Sequence, residues 1–216
     1  MKETVGEVIA GGNAGVLPRA AHKEWYRELF RPCVAAGLIK AGALAGYRNN
    51  PFYLRTSRYV PPRWEAVRDA MPALFDLVEN EPEPGVRVVL GHWLFGYIHP
   101  YADGNGRMAR FLMNAMLASG GCPWTVIRVE DRNGYLAALD HASIDMKIEP
   151  FAGFIAERVR WSMKQGDCES ARVKPRAPPE RMGASRRFAK VRMHLTGRRF
   201  SVPKVLCASD QSGRLD

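Results

Sequence analysis

Apolar positions along the chain recur mostly at helical spacing. In "HKEWYRELFRPCVAAGLI", residues 22–39, Trp25, Leu29 and Phe30 fall at i, i+4 and i+5, which predicts a helix interrupted at Pro32. "PPRWEAVRDAMPALFDLVEN", residues 61–80, opens on a proline pair and sets Val67, Met71, Leu74 and Leu77 on one stripe, with a bend expected at Pro72. "PGVRVVLGHWLFGYIH", residues 84–99, is apolar nearly all round, as a central helix buried among others would be. Three further helices are predicted over 106–121, ended by a glycine pair, over 130–143 and over 148–164. One segment breaks the pattern. "AGYRNNPFYLRTSRYVPP", residues 45–62, is rich in aromatic and β-branched residues and reads as a β-hairpin. The expected fold class is therefore all-α, a helical bundle carrying one hairpin, with no internal repeat.

At 216 residues the chain is long enough for one good hydrophobic core, or a core with an appendage. No apolar run reaches the roughly 18 residues that cross a bilayer, and the N-terminus lacks a secretory pattern, so a cytoplasmic protein with no membrane partner is expected. Cys33, Cys122, Cys168 and Cys207 form no CxxC pair, which excludes a zinc-ribbon pattern; free thiols are expected. The net charge of +10 is uneven. Residues 1–164 hold 20 Lys and Arg against 17 Asp and Glu, whereas 165–216 hold 12 against 5. The pattern divides the chain into a domain at 1–164 and a basic, poorly ordered tail at 165–216. The tail's composition fits a solvated extension better than a nucleic-acid interface.

The densest chemistry lies in "IHPYADGNGRMARFLMNAML", residues 98–117. Gly104 and Gly106 permit positive φ, so the amides from 104 to 107 can turn inward as an anion nest, at a helix start where the first amides have no intrahelical partner. Arg107 and Arg110 are three apart, on one helix face, where two guanidinium forks suit terminal phosphates. Asn105 is placed to add a side-chain donor. Asp103 precedes the nest and suits Mg²⁺, which takes one or two protein carboxylates and leaves its other positions to water and phosphate oxygens. His99 is the neutral base of the cluster, set by Pro100 in a non-helical turn and able to accept a proton near neutral pH. A base, a metal ligand and an anion cradle together suit phosphoryl or nucleotidyl transfer. A calcium loop is excluded by the missing carboxylates after Arg107, and no GxxxxGK[ST] P-loop occurs.

Residues 99–110, His-Pro-Tyr-Ala-Asp-Gly-Asn-Gly-Arg-Met-Ala-Arg, resemble the Fic motif HPFx[DE]GNGRxxR with Tyr101 in place of Phe. The resemblance extends over about 20–164. It implies a Fic-like bundle whose hairpin is a flap over the active-site loop. It also implies a protein adenylyltransferase that moves AMP from Mg-ATP to a Tyr, Thr or Ser hydroxyl of a target protein. Carried over, His99 deprotonates that hydroxyl, Asp103 binds Mg²⁺, Gly104 to Gly106 hold the α- and β-phosphates, and Arg107 and Arg110 bind the outer phosphates. The flap residues Phe52, Tyr53, Leu54 and Arg55 would pair with an extended target segment. Tyr135 matches an aromatic lining the adenine pocket, while a core tyrosine at helical spacing is an equal reading.

Two departures bear on function. Where relatives often carry Asn against the adenine, this chain has Ser143, which leaves the base preference open. Transfer of UMP, phosphate or phosphocholine, and AMP removal, are related alternatives; a non-catalytic nucleotide- or nucleic-acid-binding regulator is the alternative of another class. The family's inhibitory [ST]xxxE[GN] motif is absent: Glu79 precedes Asn80, but Phe75 stands four positions earlier. Restraint is then expected from a separate inhibitory protein supplying that helix, from an N-terminal extension, or from nothing.

Overall fold

A computed structural model describes residues 16–55 and 57–170. Six helices order the chain: α1 Val16–Ala35, α2 Val67–Asn80, α3 Pro84–Ile98, α4 Asn105–Ser119, α5 Arg132–Ile144 and α6 Glu149–Ser170. Short 3-10 turns stand at Ala41–Leu44 and Trp64–Ala66. Every helix expected from periodicity is present. The exception in detail is Pro32, which does not interrupt α1; the helix runs three residues past it, and the Ala36 amide still reaches the Pro32 carbonyl at 3.0 Å. So close to a C-terminus, a proline removes one ladder bond and leaves too little helix beyond it to kink.

α3 is the central helix, as its all-round apolar pattern requires. Val88, Val89, Leu90, Trp93, Leu94 and Phe95 are all buried, and so is His92. α4 lies most extensively against it, through Met108, Leu112, Met113 and Met116. Each large apolar side chain fully buried here contributes roughly 1.5–3 kcal/mol. Gly91 sets the spacing of the two helices: a Cβ there would lie 2.6 Å from the Met116 methyl. α2 covers one flank of α3, and the α5–α6 pair covers the other. The core closes the end of α3 that leads directly into the motif loop.

The expected hairpin is not formed. Among the described residues no strand is present, and 46–55 and 57–63 run as irregular chain with bends and a turn. Exposure nevertheless alternates with period two: Phe52 and Leu54 are half-buried, whereas Tyr53 and Arg55 are exposed. The β-like composition therefore produces irregular chain without a cross-strand ladder. Pro51, Pro61 and Pro62 lack amides for a ladder, and the carbonyls of Asn50 and Pro62 are taken by the Arg48 side chain.

α6 continues six residues beyond the domain end placed at 164. The rest of the basic tail, from 171, lies outside the described residues. Cys33 is a free thiol, but Cys122 is disulfide-bonded, which corrects the expectation of free thiols; sequence spacing excludes a local pair, not a distant one. No helix among the described residues is long and apolar enough to cross a membrane.

Candidate active site

A cleft of about 430 Å³ opens where α3 ends and α4 begins. His99, Asp103, Gly104, Asn105, Gly106, Arg107, Arg110, Tyr135, Phe52 and Leu54, all anticipated from sequence, line it together. Tyr53 and Arg55 do not; Tyr53 is 72 % exposed.

The anion side is built locally. Gly104 has φ 77°, a left-handed conformation that turns the chain into α4. A Cβ at Gly104 would also stand 2.6 Å from the Phe30 ring, so glycine is required twice over. The first ladder bond of α4 runs from the Met108 amide to the Gly104 carbonyl at 2.9 Å. The amides of Asn105, Gly106 and Arg107 precede it and carry the positive end of the helix dipole. The Arg107 guanidinium lies 4.5 Å over the Phe30 ring and 3.1 Å from the Asp103 carboxylate. Both side chains are substantially exposed, so this ion pair is weak and easily exchanged for a phosphate.

Asn105 has a structural role. Its buried amide donates to the Tyr101 carbonyl at 2.7 Å and accepts from the Tyr101 amide at 2.9 Å. Both groups help to close the loop, so the side chain shapes the nest. Tyr101 is itself fixed by stacking on Tyr26, 3.6 Å between centroids and 4° from parallel. Its hydroxyl is buried without a partner among the described residues, a consequence of tyrosine standing where the motif has phenylalanine.

The base side is built from distant parts of the chain. His99 caps α3 with φ 52° and ψ 59°, left-handed although it is not glycine. Its Nδ1 lies 3.1 Å from the Gly96 carbonyl, and the Phe52 ring covers the imidazole at 4.6 Å. Burial holds the His99 pKa below its ordinary value and the Arg48 charge pushes the same way; the Gly96 carbonyl and Asp103 push back. A neutral ring donating from Nδ1 to Gly96 leaves its Nε2 lone pair for the cleft. The end of α3 is held by the 46–63 segment: Tyr59 Oη donates to the Tyr97 carbonyl at 2.9 Å, and Arg48 Nε donates to the His99 carbonyl at 2.7 Å.

The far wall belongs to α5. Tyr135 lines the cleft with its ring and bonds His92 Nε2 through its hydroxyl at 2.9 Å. His92 Nδ1 lies 3.2 Å from the Met113 sulfur. Complete burial, with Arg110 adding to it, pushes the His92 pKa down to about 3, so the ring is neutral. Tyr135 is thus both readings at once, a core hydroxyl and a cleft ring. Ser143 lines the same wall, with the Trp93 indole donating to its Oγ at 3.2 Å, and Ser57 Oγ donates to Asp140 at 2.5 Å across the rim.

Sequence reasoning missed His92, Ser57, Tyr59, Asp140 and Arg48. His92 carried a usable signal, being seven residues before His99 and so on nearly the same helix face. The others carried none, because their partners lie 38 to 83 residues away. Asp103 is the carboxylate next to the nest, with Asp140 on the α5 wall, and among the described residues no group of three or more His, Cys, Asp or Glu could hold a metal unaided. One exposed carboxylate beside an anion nest suits a magnesium ion that arrives with a nucleotide.

Comparison with known proteins agrees with this geometry. The Fic/DOC family model matches residues 17–117. A protein adenylyltransferase Fic of Nematostella vectensis is 40 % identical over 114 residues, covering 51 % of this chain and 26 % of that protein. A probable protein adenylyltransferase of Aquifex aeolicus is 32 % identical over 99 residues, 45 % of this chain and 30 % of that one. The chain spans about a quarter of the length of the first of these curated relatives. Among solved structures, Fic-1 of Caenorhabditis elegans superposes with a TM-score of 0.59 at 23 % identity, over 71 % of this chain and 44 % of that one. A Fic-domain signalling protein of Bacteroides thetaiotaomicron gives 0.58 at 25 % identity, over 74 % and 67 %. With the bundle, the glycine-built nest and the left-handed histidine all in place, residues 17–117 are similar to the Fic/DOC family.

Proposed function

We propose that the chain is a protein adenylyltransferase, moving AMP from ATP to a Tyr, Thr or Ser hydroxyl of a target protein. The observation that carries the reading is the meeting in one cleft of His99, its Nδ1 engaged by the Gly96 carbonyl and its pKa held low by burial, with residues 104–107 of the helix start and the Arg107 and Arg110 guanidiniums. His99 Nε2 accepts the hydroxyl proton as the oxygen attacks the α-phosphorus; the bond to the bridging oxygen breaks and pyrophosphate leaves. The amides and Gly104–Gly106 backbone hold the α- and β-phosphates, while Arg107 and Arg110 take the charge at the outer end. Asp103 would hold Mg²⁺, which when bound neutralises phosphate charge. Phe52 and Tyr135 enclose the nucleoside, and the unpaired extended segment 52–55, with Tyr53 and Arg55 on its outer side, is where a target strand adds.

Base preference rests on the wall of Tyr135, Asp140 and Ser143. The reading places the activity where Mg-ATP is abundant, in the cytoplasm. Arg110 lines the cleft beside Tyr135, and restraint by a separate chain presenting an [ST]xxxE[GN] helix to it is part of the same proposal. The test is incubation of the pure protein with Mg²⁺, candidate protein acceptors and each α-labelled nucleotide, followed by intact mass. Addition of AMP to protein is expected. Label transferred only from UTP, only phosphate added, or no transfer from any nucleotide would overturn the assignment.

A further inference from the structure

The last turn of α3 poses a problem that the motif does not solve. Helix-terminal carbonyls need donors, yet Pro100 has no amide and His99 has already turned left-handed. The donors come from 38 to 51 residues earlier. Arg48 is buried, 7 % exposed, and among the described residues no carboxylate pairs with it. Its guanidinium instead meets four carbonyls: His99 from Nε at 2.7 Å, Asn50 from Nη1 at 3.1 Å, and Pro62 and Ile98 from Nη2 at 2.5 and 3.4 Å. Its own amide donates to the Pro100 carbonyl at 2.8 Å. Burial without an anion pulls its pKa below the usual arginine value, yet the charge is held, because the negative end of the α3 dipole faces it.

We propose that Arg48 is a positioning residue for the transfer reaction: one guanidinium ties both ends of the extended segment, at Asn50 and Pro62, to the Ile98 and His99 carbonyls, and so holds His99 in the left-handed turn that aims its imidazole into the cleft. The segment and the base therefore move as one unit. Phe52, inside that segment, packs on the imidazole, so releasing the tie would disturb both the base and the wall covering it. Tyr59 and Ser57 fasten the same segment at Tyr97 and Asp140, which leaves the Arg48 contact as the one made to the base's own peptide. No lysine can replace it, since an ammonium has three donors on one nitrogen whereas these four carbonyls are met from three nitrogens of a planar fork.

The proposal rests on His99 acting as the base, and its test separates the two ideas. Arg48→Lys and Arg48→Gln are made in the full chain. Thermal unfolding, Mg-ATP affinity, transfer rate against pH, amide exchange over 49–62 and the His99 imidazole titration by NMR are then read. Expected is transfer lower by roughly 10²-fold in folded Arg48→Lys, the scale of loss from misplacing a catalytic group by about 1 Å, with ATP affinity kept and exchange over 49–62 accelerated. In Arg48→Gln the His99 titration should move upward, because one positive neighbour is gone. Asp103 from the motif loop, Arg107 and Arg110 from α4 and Asp140 from α5 remain facing the cleft in both variants. Guanidinium ion added to Arg48→Ala should restore part of the rate. Arg48→Lys transferring at the parental rate, or exchange over 49–62 unchanged in both variants, would overturn the proposal. If Arg48→Gln does not fold, the lysine variant alone decides. Absence of transfer in the parent protein would defeat the reading of the site, whereas exchange and the His99 titration, which need no nucleotide, would still show whether Arg48 couples segment and base.

Discussion

The two walls of the cleft are made in opposite ways. The anion wall, from Asp103 to Arg110, is a local product: two glycines, a helix start and a ladder that begins at Met108 place amides and guanidiniums within eight consecutive residues. The base wall is a long-range product. His99 is aimed by Gly96 on its own helix, covered by Phe52 and tied down by Arg48, contacts that reach 51 residues back along the chain. A locally built wall keeps its shape as long as α4 does, whereas the base wall depends on the segment 46–63 staying in place. Binding should therefore follow the first wall and chemistry the second.

The sharpest break between the two is His99→Ala. Removing the base should lower transfer by about 10²-fold or more, the usual worth of a positioned base, in a steady-state assay with Mg-ATP and an acceptor protein. Unchanged transfer would move the base elsewhere.

Gly104→Ala attacks the anion wall through its backbone. A non-glycine residue at φ 77° carries strain of order 1–2 kcal/mol, and the new methyl meets the buried Phe30 ring on which Arg107 rests. Unfolding by denaturant should register about 2–3 kcal/mol of lost stability, together with weakened ATP binding.

Acid should destabilise the fold through its buried histidines. His22, His92 and His99 all have pKa values below the ordinary histidine value, burial being the leading cause in each. The unfolded chain therefore binds more protons, and the stability these rings contribute is complete above about pH 6.5 and lost as pH falls below it. For His92 the loss continues down to about pH 3. A group like it should remove roughly 1.4 kcal/mol per pH unit, measurable as a falling Tm, and His92→Gln should flatten that slope. A Tm independent of pH between 6.5 and 4 would contradict the burial of these rings.

Tyr101→Phe is the mildest change. It restores the residue the motif usually carries and removes a buried hydroxyl that has no partner among the described residues. Stability should rise by about 1 kcal/mol with transfer unaffected, because the stack on Tyr26 is retained. A fall in stability would mean that the hydroxyl is satisfied after all.

The same contrast explains what was legible in the sequence. Helices were legible because burial of an apolar stripe is periodic, and the all-apolar α3 announced its central position. The motif loop was legible because its chemistry is contiguous. The 45–62 segment was misread as a hairpin since its composition reports extended chain, not what pairs with it; here a buried arginine takes the carbonyls a ladder would have used. Asn105 has a structural role that was hidden for a related reason. Its neighbours in sequence suggested an anion donor, while its amide folds back four residues to Tyr101. Arg48 was one arginine among many until the fold brought it to His99.

The measurement that tests the division of labour most directly is calorimetric titration of Mg-ATP into three proteins: the parent, His99→Ala and Arg107→Ala. The account predicts near-parental affinity for His99→Ala. It predicts affinity weaker by about tenfold or more for Arg107→Ala, where a charge-assisted contact worth roughly 1.5–3 kcal/mol is lost. Arg107→Ala binding ATP as tightly as the parent, or His99→Ala losing affinity to the same degree, would contradict it.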